Sequence, residues 1–63
     1  MGLIPADRQR QILALIAQDG VVQVQELSER FEVSVLTIRR DLDYLAEQGF
    51  IERTHGGATL RRS

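Results

Sequence analysis

A mainly α domain that ends in a small β-hairpin, a winged helix-turn-helix, is the fold class this sequence predicts. Three observations point to it. Apolar residues recur at helical spacings of three and four in separate stretches: Ile12, Leu15 and Ile16; Leu27 and Phe31; and Ile38, Leu42 and Leu45. The second and third stretches are separated only by Glu32-Val33, with Ser34 as an N-cap signal after the gap. Finally, Gly56-Gly57 lies between two short β-prone runs. The expected content is three helices plus a two- or three-stranded wing sheet. It fills residues 1–63 as one domain, with the helix-turn-helix at about 24–48 and the wing at about 50–61.

The elements follow in order. Pro5 suits a first helical turn, where its missing N–H costs little. From about Ala6, Ile12, Leu15 and Ile16 give one apolar face, and Asp19-Gly20 closes the helix with a left-handed glycine. VVQV (21–24) is rich in valine and predicts one short strand. QELSERF (25–31) spaces Leu27 and Phe31 four apart, for a second helix of about two turns. Glu32 stands in the turn, where helix-turn-helix units often carry glycine; a left-handed Glu32 would cost on the order of 1 kcal/mol. In the third helix Ile38, Leu42 and Leu45 form the buried stripe, and Gly49 ends it. FIERT (50–54) and ATLR (58–61) are then the wing strands, with both turn glycines at positive φ.

A chain of 63 residues is near the lower size limit for independent folding, and without cysteine it has no disulfide or thiolate metal site to help. Its 43% hydrophobic content suffices for one compact core. The polar start, MGLIPADRQR, argues against a signal peptide, Ala6 stands where a myristoylation signal wants Ser or Thr, and no run is long enough to span a bilayer. A cytoplasmic domain without membrane partner is expected. One histidine, no cysteine and no phosphate loop leave no catalytic, cofactor-binding or metal constellation, so the expectation is not an enzyme and no cofactor.

Net charge is −1, which by itself speaks weakly against nucleic acid. The distribution says more. Residues 1–38 hold three arginines and five acids, whereas residues 39–63 hold five arginines and four acids, and no residue is lysine. Arginine's planar fork suits bidentate contacts to phosphate or a guanine edge.

On a wheel advancing about 100° per residue from Ile38, Arg40 falls at about 200° and Leu36 at about 160°, away from the core. Thr37 and Arg39 flank them, and Tyr44 follows one turn on. Positive charge near a helix N-terminus gains nothing from the helix dipole, but an incoming anion explains it. As a second helix entering the major groove by its N-terminal part, this one would offer Arg39 and Arg40 to base edges. Ser34 and Thr37 would reach phosphate oxygens, and Leu36 a thymine methyl. The plainer alternative for Arg39 is a solvated i, i+4 pair with Asp43. At the hairpin, Arg53, His55 and the Gly56 and Gly57 amides would lie along a phosphate run, because glycine lets the backbone approach closely. The plainer alternative there is that the glycines only close the turn and His55 only flanks it.

These residues resemble the N-terminal domain of the DeoR family of bacterial transcriptional regulators. Ser34, Thr37, Ile38, Arg39, Arg40, Asp41 and Leu42 stand as S-x-x-T-I-R-R-D-L, the most specific stretch. Arg8, Ile12 and Ile16 sit at the spacing of that family's first helix, and Gly49, Arg53 and H-G-G-A (55–58) resemble its wing. The resemblance implies sequence-specific binding of operator DNA, usually by a repressor of sugar or sugar-phosphate catabolic genes. Carried over, Ser34, Thr37, Arg39 and Arg40 face DNA, with His55 and Gly57 at the wing. Asp41 falls about 60° from Ile38, at the core edge, and is expected to orient an arginine, Arg8 or Arg39, without touching DNA. The resemblance also implies a C-terminal domain, absent from this chain, that binds a phosphorylated sugar and makes the full protein a homo-oligomer. This piece alone would be a monomer or weak dimer. The competing expectation is a winged-helix protein–protein interaction module.

Overall fold

The computed structural model describes residues 4–61; Arg62 and Ser63, counted above in the basic half, and residues 1–3 lie outside that range. In chain order it contains α1 (Pro5–Asp19), β1 (Val21–Gln23), α2 (Val24–Phe31), α3 (Val35–Glu47), β2 (Ile51–Thr54) and β3 (Gly57–Leu60). The three strands form one antiparallel sheet in the order β1-β3-β2. Among the described residues no helix is long and apolar enough to cross a membrane.

Each helix ends where short-range chemistry stops it. Gly20, at φ 84°, donates its N–H to Ile16 O at 2.7 Å and turns α1 into β1. At the end of α3, Gly49 at φ 88° donates to Ala46 O, and Phe50 donates to Leu45 O, the paired bonds of a Schellman motif. Ser34 caps the start of α3, its Oγ accepting from Thr37 N at 3.1 Å.

The turn between α2 and α3 is left-handed at Glu32, φ 55° and ψ 44°, which a glutamate occupies at a cost in backbone energy. Ser28 holds that turn in two ways. Its carbonyl accepts from the Glu32 and Val33 amides, and its hydroxyl donates to Val33 O at 2.7 Å. This clasp is not legible in the sequence, where Ser28 is one polar residue on a mostly polar helix face.

The core gathers Ile12 and Ile16 from α1, Val24 and Leu27 from α2, Ile38, Leu42 and Leu45 from α3, and Val22, Ile51 and Ala58 from the sheet. Two details of the strands differ from expectation. Val24 begins α2 and does not extend β1; it is buried with Leu27, so the helix takes the residue to complete its apolar face. Its N–H still reaches Gly56 O at 2.8 Å, tying α2 to the hairpin turn.

The second difference concerns the glycine pair. Gly56 has φ 82°, but Gly57 is a strand residue without positive φ, and the hairpin connection is His55-Gly56 alone. Gly57 is glycine for another reason. A Cβ there would sit 2.1 Å from the Val22 carbonyl oxygen on β1. β1 approaches β3 so closely at this end of the pairing that position 57 has no room for a side chain.

Candidate nucleic-acid interface

The outward side of α3 carries Leu36, 59% exposed, and Tyr44, 50% exposed, with Arg39 and Arg40 exposed between them. Thr37 is half-buried; its Oγ1 lies 3.0 Å from Ser34 Oγ, so both hydroxyls belong to one small polar cluster at the helix start. The first turn of α3 contains no acid. Its positive dipole end is therefore not neutralised from within the helix.

Among the described residues, Arg39 and Arg40 have no ion-pair or hydrogen-bond partner, and Asp43 faces Arg53, not Arg39. The i, i+4 pair is thus not formed. Two guanidinium groups are left side by side on a helix surface, each with its donors open to solvent.

Asp41, on the opposite side of α3, is buried. Arg8 of α1 meets it side-on: Nε donates to Oδ2, and Nη2 donates to Oδ1 at 3.1 Å. Gln9 adds a third bond, Nε2 to Oδ1 at 3.1 Å. Of the two arginines considered for Asp41, the partner is Arg8. Its hydrogen bond to Asp41 raises the Arg8 pKa above its ordinary value, burial opposes this, and the attraction of the carboxylate reinforces it. A raised value in an arginine means that its contribution to stability is whole below the ordinary value. It is lost only as pH rises through the raised one, far above neutrality. The pair, with Gln9, ties α1 to the inner side of α3.

On the wing, the expected residues separate. His55 and Gly56 form the exposed tip. Arg53 is half-buried and engaged within the protein: Nε donates to Gly57 O at 3.2 Å, and Nη1 is paired with Asp43 Oδ1 of α3. Gly57 is buried between β1 and β2, so the expectation that it presents its backbone to a phosphate does not fit its place. The surface that remains is Ser34, Leu36, Thr37, Arg39, Arg40 and Tyr44 of α3, with His55 and Gly56 on the tip. Sequence reasoning missed Gln9, whose bond to Asp41 needs α1 folded against α3, 32 residues away in sequence.

Comparison with known proteins agrees with this architecture. A sequence model of the DeoR-like helix-turn-helix domain matches residues 8–63. The glycerol-3-phosphate regulon repressor of Escherichia coli (strain K12) is 54% identical over 56 residues, 89% of this chain and 22% of the repressor. The HTH-type transcriptional regulator GolR of Listeria innocua is 44% identical over 61 residues, 97% of this chain and 24% of the regulator. The L-fucose operon activator of Haemophilus influenzae is 45% identical over 56 residues, 89% of this chain and 22% of the activator. The chain spans about a quarter of the length of these curated relatives. No solved structure matches it significantly. With its helices, its turn and nearly its whole length matched, the chain belongs to the family of DeoR-like helix-turn-helix domains.

Proposed function

We propose that this domain binds duplex DNA in a sequence-specific manner as part of a transcriptional regulator. The observation that carries this reading is the pair of open guanidinium groups, Arg39 and Arg40, on the outward face of α3. A chain of net charge −1 that presents two adjacent unneutralised arginines on one helix face suits an anionic partner there. In this reading α3 enters the major groove by its N-terminal half. Arg40 and Arg39 reach base edges or phosphates, Leu36 meets an apolar base edge, and Ser34, Thr37 and Tyr44 border the backbone. His55 and Gly56 approach a phosphate from the wing.

Relatives named for a glycerol-3-phosphate regulon and an L-fucose operon support regulation of sugar or sugar-phosphate genes. On this reading the protein works in the cytoplasm, where the DNA is. One of these relatives is a repressor and the other an activator; we favour repression. A phosphorylated sugar effector and homo-oligomer assembly would be functions of the three-quarters of the relatives that this chain does not cover.

The test is fluorescence anisotropy of a random-sequence duplex titrated with the 63-residue chain at several salt concentrations, beside Arg40→Ala. Binding that weakens linearly on a log–log salt plot, and further in the variant, is the expected result. On a selected site the variant should lose about 1–3 kcal/mol if Arg40 reads a base. A folded chain that binds no duplex at low salt would overturn the reading. A second reading, docking of a protein partner, draws on the exposed Leu36 and Tyr44. Binding of that kind would lack the steep salt dependence.

A further inference from the structure

The outward face of α3 carries two acids that do not suit a surface built for a polyanion, Glu47 in the last turn and Asp43 nearer the start. Of the two, only Asp43 lies within about one turn of Arg39. Asp43 lies about 140° from Ile38 on the wheel, between the core side and Leu36, and its side chain is 66% exposed. A bare carboxylate one turn from Arg39 would repel any phosphate approaching that arginine. Arg53 meets it. From β2 its guanidinium spans to the Gly57 carbonyl on β3 with Nε and to Asp43 on α3 with Nη1, so one side chain joins three elements.

We infer that Arg53 is a positioning residue, which cancels the Asp43 charge on the DNA-facing side and straps the wing to the recognition helix. It is not itself the wing's phosphate contact. This rests on the DNA-binding reading and sharpens it: Arg53 acts on the DNA-facing side through Asp43, while the tip residues His55 and Gly56 are held by the sheet and by Val24 N–H on Gly56 O. The strap contributes little to folding, because the pair is exposed on the Asp43 side and screened by water. Its effect appears when phosphates approach. Without Arg53, Asp43 presents an unbalanced negative charge to the duplex, while the wing stays joined to α3 through Ile51 in the core.

A double-mutant cycle on the 63-residue chain tests this, with Arg53→Ala, Asp43→Asn and the pair combined, using the random-sequence duplex and anisotropy at several salt concentrations. Arg53→Ala alone should weaken binding about tenfold, since it leaves the Asp43 carboxylate facing phosphate. Asp43→Asn alone should bind as well as the parent or tighter. The combined variant should return to within about twofold of Asp43→Asn, the margin within which independent effects add. Its log–log salt slope should equal that of Asp43→Asn. All variants should melt close to the parent in circular dichroism. The opposite result is that Arg53→Ala weakens binding equally in the parent and in the Asp43→Asn background, and lowers the salt slope by about 0.9 in both. Arg53 would then be a direct phosphate contact, and the inference is overturned. A parent chain that binds no duplex overturns the DNA-binding reading itself, and this inference with it; that result is told apart because it precedes any substitution.

Discussion

Two aspartates two residues apart on α3 each meet an arginine from another element, and their surroundings make them opposites. Asp41 and Arg8 are buried, with side chains 5% and 8% exposed, and Gln9 completes the hydrogen bonding of the carboxylate. Asp43 and Arg53 are open, with side chains 66% and 27% exposed. The chemistry of the two pairs is the same. Burial decides that the first is a structural clasp, costly to break because a lone buried charge has no water to turn to. Exposure decides that the second contributes little to folding and matters mainly when another charged molecule arrives.

Breaking the buried pair should have the largest effect. Arg8→Ala strands Asp41 in the core edge and should cost about 3–5 kcal/mol. For a domain of this size the whole stability is about 3–9 kcal/mol, so urea denaturation should find the variant close to unfolded at room temperature. Replacing both partners together, as Arg8→Met with Asp41→Leu, should recover most of that loss, because no charge is then left unpaired. A double variant as unstable as the single one would show that the clasp stabilises beyond removing its own burden. The corresponding change at the open pair, Arg53→Ala, should shift stability by less than about 1 kcal/mol.

An effect between those of Arg8→Ala and Arg53→Ala is expected where β3 pairs with β1. Gly57→Ala drives a methyl into the Val22 carbonyl and should cost about 1–3 kcal/mol in chemical denaturation. Gly56→Ala meets no atom within 4 Å and loses only through its positive φ, about 1 kcal/mol. Equal losses at the two glycines would mean that β1 yields easily, and the wing would then depend on the Arg53 strap more than on the sheet. The smallest effect is a gain. Glu32→Gly relieves a left-handed glutamate, offset in part by glycine's greater freedom in the unfolded chain, and should raise stability by roughly 0.5 kcal/mol. A lower melting temperature would mean that the Ser28 clasp already holds the turn without strain.

Most of the fold is legible in the sequence, and the reason lies in range. Helix ends are set by Gly20, Ser34 and Gly49, whose capping bonds reach no further than five residues along the chain. The inward stripe Ile38, Leu42, Leu45 and the outward position of Leu36, Arg40 and Tyr44 follow from the helical period alone. The left-handed turn at Glu32 is equally a local matter, set by the short gap between two helices.

Local signals in the chain thus set the order of the elements, their boundaries to within a residue or two, and which side of α3 faces out. Tertiary structure alone decided the partnerships. Arg39 sits four residues before Asp43, yet Asp43 turns to Arg53, ten residues on, because β2 brings that guanidinium against α3. Asp41 takes Arg8 from 33 residues away because α1 packs on the inner side of α3, where Arg39 does not reach. Gly57 must be glycine because β1 lies against β3, which no property of the hairpin's own residues announces. Periodicity and capping act within a turn or two of helix, whereas charge pairing and close packing depend on which distant surfaces meet.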